Sequence, residues 1–391
     1  ISKVCSKQRR SMKEAISISD RETQTPEKLI PRLLVLTPHL SYPGGVTNYF
    51  ETVKLDNLPN CSYFFVNFPA NSKKILKVLA LALKYIEFFF KVGKYDMVHL
   101  NVSLNFNSYY RDLGYILISR LFSKKTLVFF HGWEESFEQK IMGNRFDRFL
   151  FGASYDKVDT FVLLSTRFEK KLKNMLARPE EKNYFLITTF GDDTYLNEFN
   201  ISEKLQKEND FNILFLSRIL ATKGIYIALD AYARVKEKLK HMKINFIVAG
   251  TGEELENVKQ YVKEKNIADV QFPGYIKGYD KHKLLTNSDI MLFPTCYPEG
   301  LPSVILEGMM YGMPIISRIN AGVPDVVTNG KQGYISESTD ASVFAGYLEQ
   351  ILADNAARKQ MGLNNHEEAR KKYTSSSIRR RLLNIYNEVC V

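Results

Sequence analysis

The sequence predicts an α/β protein built from two doubly wound, Rossmann-like domains that face each other across a cleft. Short apolar runs typical of buried strands alternate with longer helical segments, which favours parallel sheets covered on both faces. The alternation pauses in a polar, charged stretch at 190–211 and then starts again. The chain has 391 residues, 45% of them apolar, so it is long enough to bury two cores.

The first block contains five apolar runs of strand length, with a long helical segment at 72–92 after the second run. We assign residues 29–195 to an N-terminal domain and expect residues 1–28 to be a disordered or loosely attached extension. The five runs are LIPRLLVLTP (29–38), CSYFFVNF (61–68), YDMVHLNV (95–102), KTLVFFHG (125–132) and DTFVLLST (159–166).

The second block repeats the pattern, and its tail is mostly helical from Ala341 onward. We assign residues 196–371 to a C-terminal domain and 372–391 to a helix that packs back on the first domain. The predicted strands lie at 211–219, 244–252, 270–276, 290–295 and 314–319, and the predicted helices at 223–239, 254–266 and 302–312.

The charge balance is basic, with 54 Lys and Arg against 43 Asp and Glu and a formal net charge of +11. Such a surface suits acidic partners, which include nucleotide phosphates, anionic lipid and nucleic acid. The four cysteines form neither a CxxC motif nor a Cys/His cluster. We therefore expect no zinc site, no disulfide framework and a reducing compartment. No apolar run has the length of a membrane-spanning helix.

The stretch FPTCYPEGLPSVILEGMMYGMPIIS (293–317) predicts a strand end, a turn and a helix start. Proline is favoured at the first position of a helix, which places Pro302 there. The backbone N–H groups of Leu301, Ser303 and Val304 should then point into the cleft. A helix N-terminus with free N–H groups binds anions, most often phosphate.

Two carboxylates, Glu299 and Glu307, flank this helix start in a Glu-x7-Glu arrangement. Eight helical positions span about 12 Å. A retaining glycosidase needs its two carboxyl groups about 5 Å apart, so this spacing argues against an acid–nucleophile pair on one bond. The two groups would instead contact different parts of one extended ligand, unless they are simply an exposed turn residue and a helix-surface residue.

Two cations follow a strand of the second block, in SRILATKG (217–224). The guanidinium of Arg218 and the ammonium of Lys223 would together suit a diphosphate, although two solvated surface cations fit the pattern as well. VAGTGEE (248–254) places Gly250 in a turn after the next strand. A lone GxG is a weak signal, because tight turns need glycine with or without a ligand.

In the first block, TPHLSYPGGVTNYFETV (37–53) places Gly44 and Gly45 between a strand and a helix. The two glycines would let the backbone approach a ligand closely, or they form a plain turn. FFHGWEE (129–135) places His131 at the end of another strand. A histidine there can hydrogen-bond a substrate or move a proton, but most lone histidines are structural.

The order of these motifs, with AGVPDVV and GKQGYI after them, resembles the retaining nucleotide-sugar glycosyltransferases of family four. These glycosyl transferases of group one have the GT-B fold, in which two Rossmann-like domains face across a cleft. The resemblance covers about 30–391 and is strongest over 211–335. It makes 29–195 the acceptor-binding domain and 196–371 the nucleotide-sugar-binding domain.

By this resemblance the catalytic set is His131, Glu299, Arg218 and Lys223. Arg218 and Lys223 would bind the donor diphosphate, His131 would lie beside the transferred sugar, and Glu307 would hold the ribose hydroxyls. Tyr275 and Ile276 would line the base. The full donor-binding set is Gly44, Gly45, Gly250, Tyr275, Ile276, Gly300, Leu301, Pro302, Ser303 and Glu307. Asp192 and Asp193 fall where the family has a linker turn and are interpreted as structural.

The resemblance implies a glycosyltransferase that moves a sugar from a nucleoside-diphosphate sugar to a sugar or lipid-linked acceptor. It also implies retention of the anomeric configuration by front-side attack, with the departing phosphate accepting the proton of the acceptor. Neither a metal nor another cofactor is expected. Cell-surface polysaccharide biosynthesis is the expected pathway.

The segment KKILKVLALALKYIEFFFKVGK (73–94) combines a broad apolar face with six lysines. It could be a core helix of the first domain with a hydrated lysine edge. Alternatively, it could lie on an anionic membrane surface, with Phe and Leu at the headgroup boundary. We therefore expect a cytoplasmic protein that can be peripheral on the inner face of the membrane. The cluster IRRRLLNIY (378–386) could add to that surface or belong to the terminal helix.

Three other functions compete with this interpretation. A nucleic-acid-binding protein would explain the charge, but no recognised motif is present and the cations are scattered among acids. An NAD enzyme would explain doubly wound sheets, but GTGEE lacks the full G-x-G-x-x-G pattern. A catalytically silent, glycosyltransferase-like partner protein is the remaining alternative, since a fold does not guarantee activity.

Overall fold

The computed structural model describes most of the chain, and the prediction for residues 1–28 lies outside the part described. Within the chain, residues 43, 67–73, 207, 209, 298 and 299 lie outside it as well, and so does the prediction for Glu299. The described residues are 31–42, 44–66, 74–206, 208, 210–297 and 300–390.

Two six-stranded sheets form the fold, and every recorded strand pair is parallel. The first sheet has the order β2-β1-β3-β4-β5-β6 and the second the order β12-β11-β10-β7-β8-β9. The first contains β1 (Leu33–Thr37), β2 (Cys61–Phe65), β3 (Met97–Leu104), β4 (Lys125–Trp133), β5 (Thr160–Leu163) and β6 (Asn183–Leu186). The second contains β7 (Asp210–Leu216), β8 (Lys243–Ala249), β9 (Val270–Gly274), β10 (Ile290–Phe293), β11 (Ile315–Arg318) and β12 (Gly333–Ser336).

Helices connect successive strands and cover both sheets, as parallel pairing requires. The helices of the first half are α1 (Gly45–Val53), α2 (Lys74–Val92), α3 (Phe106–Leu121), α4 (Glu135–Gly143), α5 (Arg145–Ala153) and α6 (Thr166–Met175). Those that follow are α7 (Ile201–Lys204), α8 (Ile225–Lys238), α9 (Leu255–Glu264), α10 (Gly278–Asn287), α11 (Ser303–Met310), α12 (Ala341–Ala353), α13 (Asn355–Lys372) and α14 (Ser375–Cys390). The predicted fold class, two doubly wound α/β units, is confirmed.

Each sheet has its own apolar core, because its strands are buried on both faces. The order of each sheet reverses at its first strand, β1 in the first sheet and β7 in the second. In open sheets of this kind, ligands bind beyond the carboxyl ends of the strands at such a switch point. The topology therefore directs attention to the edge where the two sheets face each other.

The last helix, α14, contributes to the core of the first sheet although it follows the second in sequence. Its buried Tyr386 hydroxyl lies 2.6 Å from Nδ1 of His99, which is fully buried on β3. The ammonium of Lys125 donates to the carbonyl oxygen of Val389 at 2.7 Å. The terminal segment thus ties the end of the chain to the first half.

The differences from the sequence-based expectation are local. The strands β6 and β12 were not predicted, because neither is buried along its whole length, unlike the equally short β5 and β10. The linker around 190–211 contains the short helix α7. Helix α11 begins at Ser303, which makes Pro302 the N-cap rather than the first helical residue.

Buried His99 makes the stability of this fold dependent on pH. Burial, with a smaller contribution from the nearby His131, lowers its pKa to about 3. The unfolded chain takes up a proton near pH 6.5, whereas the folded chain does not. The contribution of His99 to stability is therefore complete above pH 6.5 and is lost progressively as the pH falls toward 3.

We expect the free energy of unfolding to fall between pH 6.5 and 5, by about 1.4 kcal/mol per pH unit for each such histidine. In His99→Leu this slope should decrease by about that amount, whatever the stability at pH 7. Urea denaturation at several pH values measures it. His241→Asn, which alters an exposed histidine, is the matched control and should keep the wild-type slope. Equal slopes in wild type and His99→Leu would contradict the assignment.

Candidate functional site

A cleft of about 740 Å³ lies between the carboxyl ends of the two sheets. Residues from the first half, the linker and the second half all line it. Among the sequence-predicted residues, seven are brought together here: Gly45, His131, Gly300, Leu301, Pro302, Ser303 and Glu307. This is the position at which the fold directs ligand binding.

On the first-half wall, the start of α1 leaves open space for a ligand. A side chain placed on Gly45 would meet no atom within 4 Å, so the backbone faces the cleft without obstruction. Gly44 is not part of the lining. It is the N-cap of α1, and its carbonyl oxygen accepts hydrogen bonds from the Thr47 hydroxyl at 2.8 Å and the Asn48 amide at 3.0 Å.

His131, near the end of β4, lines the same wall. Its Nε2 lies 2.8 Å from Oδ1 of Asn101, whose Nδ2 donates to the carbonyl oxygen of Leu36 at 2.9 Å. Because the Asn101 amide nitrogen is already used, its oxygen faces the ring, and Nε2 carries the proton. Burial lowers the pKa of His131 to about 3. The ring is therefore neutral at physiological pH, and Nδ1 is its available acceptor.

On the second-half wall, α11 begins at the cleft without a side-chain cap. Its first amide groups therefore keep their capacity to bind an anion. The approach to the helix is tightly packed, since a Cβ on Gly300 would lie 2.4 Å from Leu164 of the first half. Glycine at this position allows the helix start to sit directly against the opposite wall.

Glu307 lies inside α11 and is 6% exposed. Its Oε1 is 3.1 Å from Nζ of Lys281 and 3.3 Å from the amide nitrogen of Asp192. Lys281 also pairs with Oδ2 of Asp192 at 3.0 Å. One cation on α10 thus joins a carboxylate of α11 to a carboxylate of the linker, at the base of the cleft.

The three groups influence one another's ionisation. Burial raises the pKa of Glu307, and the Lys281 ammonium opposes that rise. Burial also works against the charge of Lys281, but Glu307 and Asp192 raise its pKa overall. For Asp192, burial is outweighed by Lys281 and the Thr194 hydroxyl, so its pKa is lowered. Lys281 therefore stays charged and compensates two carboxylates.

Arg218 and Lys223 lie together, but not in the lining of this cleft. Both face the ring of Tyr297, with Nζ of Lys223 4.1 Å and the guanidinium carbon of Arg218 5.7 Å from its centroid. Lys223 is 5% exposed, whereas Arg218 is exposed. Among the described residues, the lining of the cleft therefore contains Glu307 but neither of the two cations. Between Tyr297 and Gly300, Pro298 and Glu299 lie outside the described residues.

The remaining predicted residues also fall outside the lining. Gly250 has φ 138°, and a Cβ there would lie 1.8 Å from the carbonyl oxygen of Ser217. This packing requires glycine whether or not a ligand binds. Tyr275 is largely exposed and Ile276 half-buried, both just past the carboxyl end of β9.

Sequence reasoning missed Lys281, which no motif marks, and interpreted Asp192 as structural. Asp193 does have a structural role, because its Oδ2 accepts hydrogen bonds from the amide and hydroxyl of Ser375 at the start of α14. Asp192, however, takes part in the ion cluster of the cleft. Its position near the start of the predicted linker was the only signal in the sequence. Within the ranges that the structure describes, no group of three or more His, Cys, Asp or Glu side chains is arranged to hold a metal ion.

Comparison with known proteins supports the resemblance for the second half of the chain. The model of the family described as glycosyl transferases group 1 matches residues 197–368. The chain is 25% identical over 194 residues to the capsular polysaccharide biosynthesis glycosyltransferase CapM of Staphylococcus aureus, covering 49% of this chain and 50% of CapM. It is 22% identical over 343 residues to the amylovoran biosynthesis glycosyltransferase AmsK of Erwinia amylovora, covering 86% of this chain and 76% of AmsK.

The chain spans only about a third to just over half the length of several other curated relatives that it matches. Among solved structures, HepE of Anabaena, crystallised with UDP, has a TM-score of 0.70 and 15% identity, covering 91% of this chain and all of HepE. This likeness establishes the fold, which is GT-B. The recognition of a group-one glycosyl transferase domain is confirmed for residues 197–368.

Lys281 should be essential for the stability of the cleft. In Lys281→Met, two carboxylates lose their compensating charge, so we expect the free energy of unfolding at pH 7 to fall by about 3–5 kcal/mol. The double variant Lys281→Met/Glu307→Gln should recover part of the loss, because the most buried charge is then absent. Urea denaturation gives these values. Lys283→Met alters an exposed lysine of the same helix and serves as the control; a loss no larger than in this control would reject the role of Lys281.

Proposed function

We propose, from the premise that residues 197–368 form a glycosyl transferases group 1 domain, that this protein is a glycosyltransferase. It moves a sugar from a nucleoside-diphosphate sugar to a sugar or lipid-linked acceptor, with retention of the anomeric configuration. The observation that carries the proposal is the cleft itself, where an uncapped helix start and a buried carboxylate face a glycine-opened wall of the other sheet. The polysaccharide-related names of CapM and AmsK support a role in cell-surface polysaccharide biosynthesis.

The donor is assigned to the second-half wall. The start of α11 takes a phosphate of the donor, because its first amide groups have no side-chain cap. Glu307 accepts hydrogen bonds from the ribose hydroxyls through Oε2, for which no protein donor is recorded among the described residues, while Lys281 holds Oε1. Because HepE was crystallised with UDP and with UDP-glucose, a UDP-sugar is the first donor to test.

Arg218 and Lys223 are assigned to the diphosphate, and this assignment requires a change at Tyr297. In the structure the ring of Tyr297 attracts both cations. A diphosphate carries full negative charge and therefore attracts them more strongly than the face of an aromatic ring does. Donor binding would then draw the two cations away from Tyr297 and toward the leaving group. Glu299, which precedes Gly300 in sequence, keeps its proposed contact with the donor sugar.

The leaving nucleoside diphosphate develops negative charge during transfer. The α11 N-terminus, Arg218 and Lys223 stabilise that charge through their positive potential once the donor is bound. Because these groups supply the positive charge, we propose that no metal is needed. A neutral His131 with a pKa of about 3 is a poor proton acceptor near pH 7. It is therefore assigned to position the transferred sugar, and the departing phosphate accepts the proton of the acceptor hydroxyl.

The acceptor is assigned to the first-half wall. Polar side chains of α1 face the cleft there, among them Asn48, Glu51 and Thr52, and Ser103 follows on β3. Hydroxyl and carboxylate groups of this kind suit the hydroxyls of a sugar. Their position opposite the assigned donor wall supports an acceptor site on the same side of the cleft as His131.

Two substitutions separate donor binding from leaving-group stabilisation. Glu307→Ala should mainly raise the donor KM, because the ribose contact is equally present in ground and transition states. Lys223→Ala should lower kcat/KM, with a loss of transition-state stabilisation of about 2–4 kcal/mol, because the charge on the leaving group develops only during transfer. Steady-state kinetics with UDP-glucose and other nucleotide sugars measure both, and Lys240→Ala on an exposed surface is the control. Kinetics unchanged from wild type in both variants would exclude the assigned roles.

The stereochemistry and the metal requirement can be tested on the reaction itself. Proton NMR of the first-formed product should show the anomeric configuration of the donor, and transfer should continue in excess EDTA. An inverted product would exclude front-side attack. Activity abolished by EDTA and restored by a divalent cation would exclude metal independence. If no nucleotide sugar raises the melting temperature or is consumed, the alternative of a catalytically silent partner protein is favoured.

A further inference from the structure

The exposed apolar side chains of this protein are concentrated on one side of the first half. Of the 17 large apolar side chains recorded as exposed among the described residues, 13 lie on helices α2 to α5. Single exposed apolar residues are ordinary on a soluble protein, but a contiguous cluster marks an interaction site. No helix that the structure describes has both the length and the apolar character needed to cross a membrane.

Helix α2 provides most of this cluster. Leu79, Leu83, Ile86 and Phe90 are spaced by four, three and four residues, so they form one stripe along the helix. Each is more than half exposed, and Phe90 reaches 75%. The opposite side of the helix carries Phe88, which is fully buried. The apolar residues of α2 thus form two faces, one in the core and one directed to solvent.

Of the lysines of α2, Lys84 and Lys91 have described side chains, and both are directed to Phe64 rather than over the exposed stripe. Lys84 pairs with Glu87 at 2.7 Å and lies 5.2 Å from the ring centroid of Phe64, on the neighbouring strand β2. Lys91 lies 5.7 Å from the same ring. These cations therefore border the stripe on one side, as in a helix that lies in an interface with charge at its edge.

The apolar surface continues onto α3. Leu117 and Leu121 are exposed there, and Leu121 reaches 72%. The two helices are in contact at their C-terminal ends, where the ring centroids of Phe89 and Phe122 are 5.0 Å apart. The stripe on α2 and the exposed residues of α3 are therefore parts of one surface, which we call the α2–α3 face.

A cationic hollow adjoins this face at the amino edge of the first sheet. Its volume is about 670 Å³, and six cations but only three carboxylates line it. The six cations are Arg120, Lys124, Lys125, Lys157, Arg178 and Lys182. Arg120 directly precedes the exposed Leu121, and Lys124 donates to the carbonyl oxygen of Gly93 just beyond α2 at 3.0 Å. The hollow and the α2–α3 face are thus continuous.

The carboxylates of the hollow already have protein partners. Asp159 accepts hydrogen bonds from the amide and hydroxyl of Thr126 at 2.7 and 2.9 Å. Asp156 accepts one from the amide of Ala177 at 3.0 Å, and Glu181 pairs with Arg178 at 3.2 Å. The excess of positive charge therefore faces solvent, where it suits an anion such as a phosphate.

We propose that the α2–α3 face docks on an anionic phospholipid bilayer, with the lipid phosphates held in the cationic hollow. The apolar stripe of 19-residue α2, about 28 Å long, lies along the headgroup boundary. The excess cations supply the charge complementarity that an anionic bilayer requires. This pairing of apolar and cationic surface selects lipid over an apolar protein partner. The inference does not depend on the glycosyl transfer proposed above, because it concerns a separate surface.

The connectivity relates this surface to the cleft. Helix α2 follows the carboxyl end of β2 and precedes the amino end of β3, so it runs from the cleft edge of the sheet to the edge with the hollow. A bilayer that lies along α2 therefore reaches the rim of the cleft. A lipid-linked acceptor would enter the cleft from that membrane.

Co-sedimentation of the full chain with vesicles tests the proposal. Vesicles of phosphatidylcholine alone are compared with vesicles of equal parts phosphatidylcholine and phosphatidylglycerol, at low and high salt. The wild-type protein should pellet with the anionic vesicles at low salt, and salt should weaken the binding. Inorganic phosphate should not abolish this binding, because it competes for the cationic hollow but not for the apolar contact with the bilayer.

Two variants separate the contributions of the surface. Arg120→Glu/Lys182→Glu should weaken binding to anionic vesicles by roughly tenfold or more. Leu83→Ser/Phe90→Ser should weaken it at every salt concentration. Arg120, Leu83 and Phe90 are exposed and Lys182 is half-buried, and circular dichroism verifies that both variants fold. The matched controls are Lys240→Glu/Lys331→Glu for charge and Ile319→Ser for apolar exposure, both on the second half, and both should bind as wild type does.

Three outcomes would overturn the proposal. The first is the absence of pelleting of wild type at low salt. The second is an equal loss of binding in the charge-reversal variant and its control, which would indicate a general effect of net charge. The third is a stable dimer in sedimentation velocity that Leu83→Ser/Phe90→Ser converts to monomer, because the face would then be covered by a second copy of the chain. UDP-sugar binding measured in the same variants shows independently whether the proposed catalytic cleft is intact.

Discussion

The buried charge of Glu307 is the constraint on which the rest of the site depends. A carboxylate inside a helix at the base of a cleft is costly unless a cation compensates it. Lys281 provides that cation and also pairs with Asp192, so α10, α11 and the linker must meet at one point. The linker is held tightly there, because a Cβ on Gly191 would lie 3.0 Å from the amide nitrogen of Glu307. The ion cluster thus anchors the linker between the two sheets to the second-half wall.

Further contacts hold the two halves together around the cleft. Asp325, after β11, accepts hydrogen bonds from the amide and hydroxyl of Thr166 at 2.8 and 2.6 Å, at the start of α6. Helix α14 returns to the first sheet through Tyr386 and His99. These polar contacts add to the apolar packing of α14 in the core of the first sheet. Because Glu307 lines the cleft and also holds the linker, the proposed donor contact and the connection between the two halves share one residue.

The fold was largely predictable from the sequence, because buried parallel strands produce apolar runs that need no knowledge of their neighbours. Strands β6 and β12 were missed because part of each is half-buried or exposed, so neither produces a continuous run of buried apolar residues. In the site, Gly300 to Ser303 and Glu307 were predictable from their motif, since a strand end and a helix start are local features. Lys281 was not, because its partners are 89 and 26 positions away in sequence and only the fold brings them together. The placement of Arg218 and Lys223 on Tyr297 is likewise a property of tertiary structure.

Helix α2 shows why an amphipathic pattern alone does not tell which side of a helix is buried. From sequence, a core helix with a hydrated lysine edge was the simpler interpretation of 73–94. In the structure, Phe88 and Val92 face the core, while the equally apolar Leu83 and Phe90 face solvent. The helix has more apolar residues than one core can cover. Lys84 and Lys91 lie over Phe64 rather than over the exposed apolar residues. Apolar surface of this kind costs free energy when it is exposed to water. The proposed contact with an anionic bilayer would remove that cost, and the neighbouring positive charge favours such a bilayer.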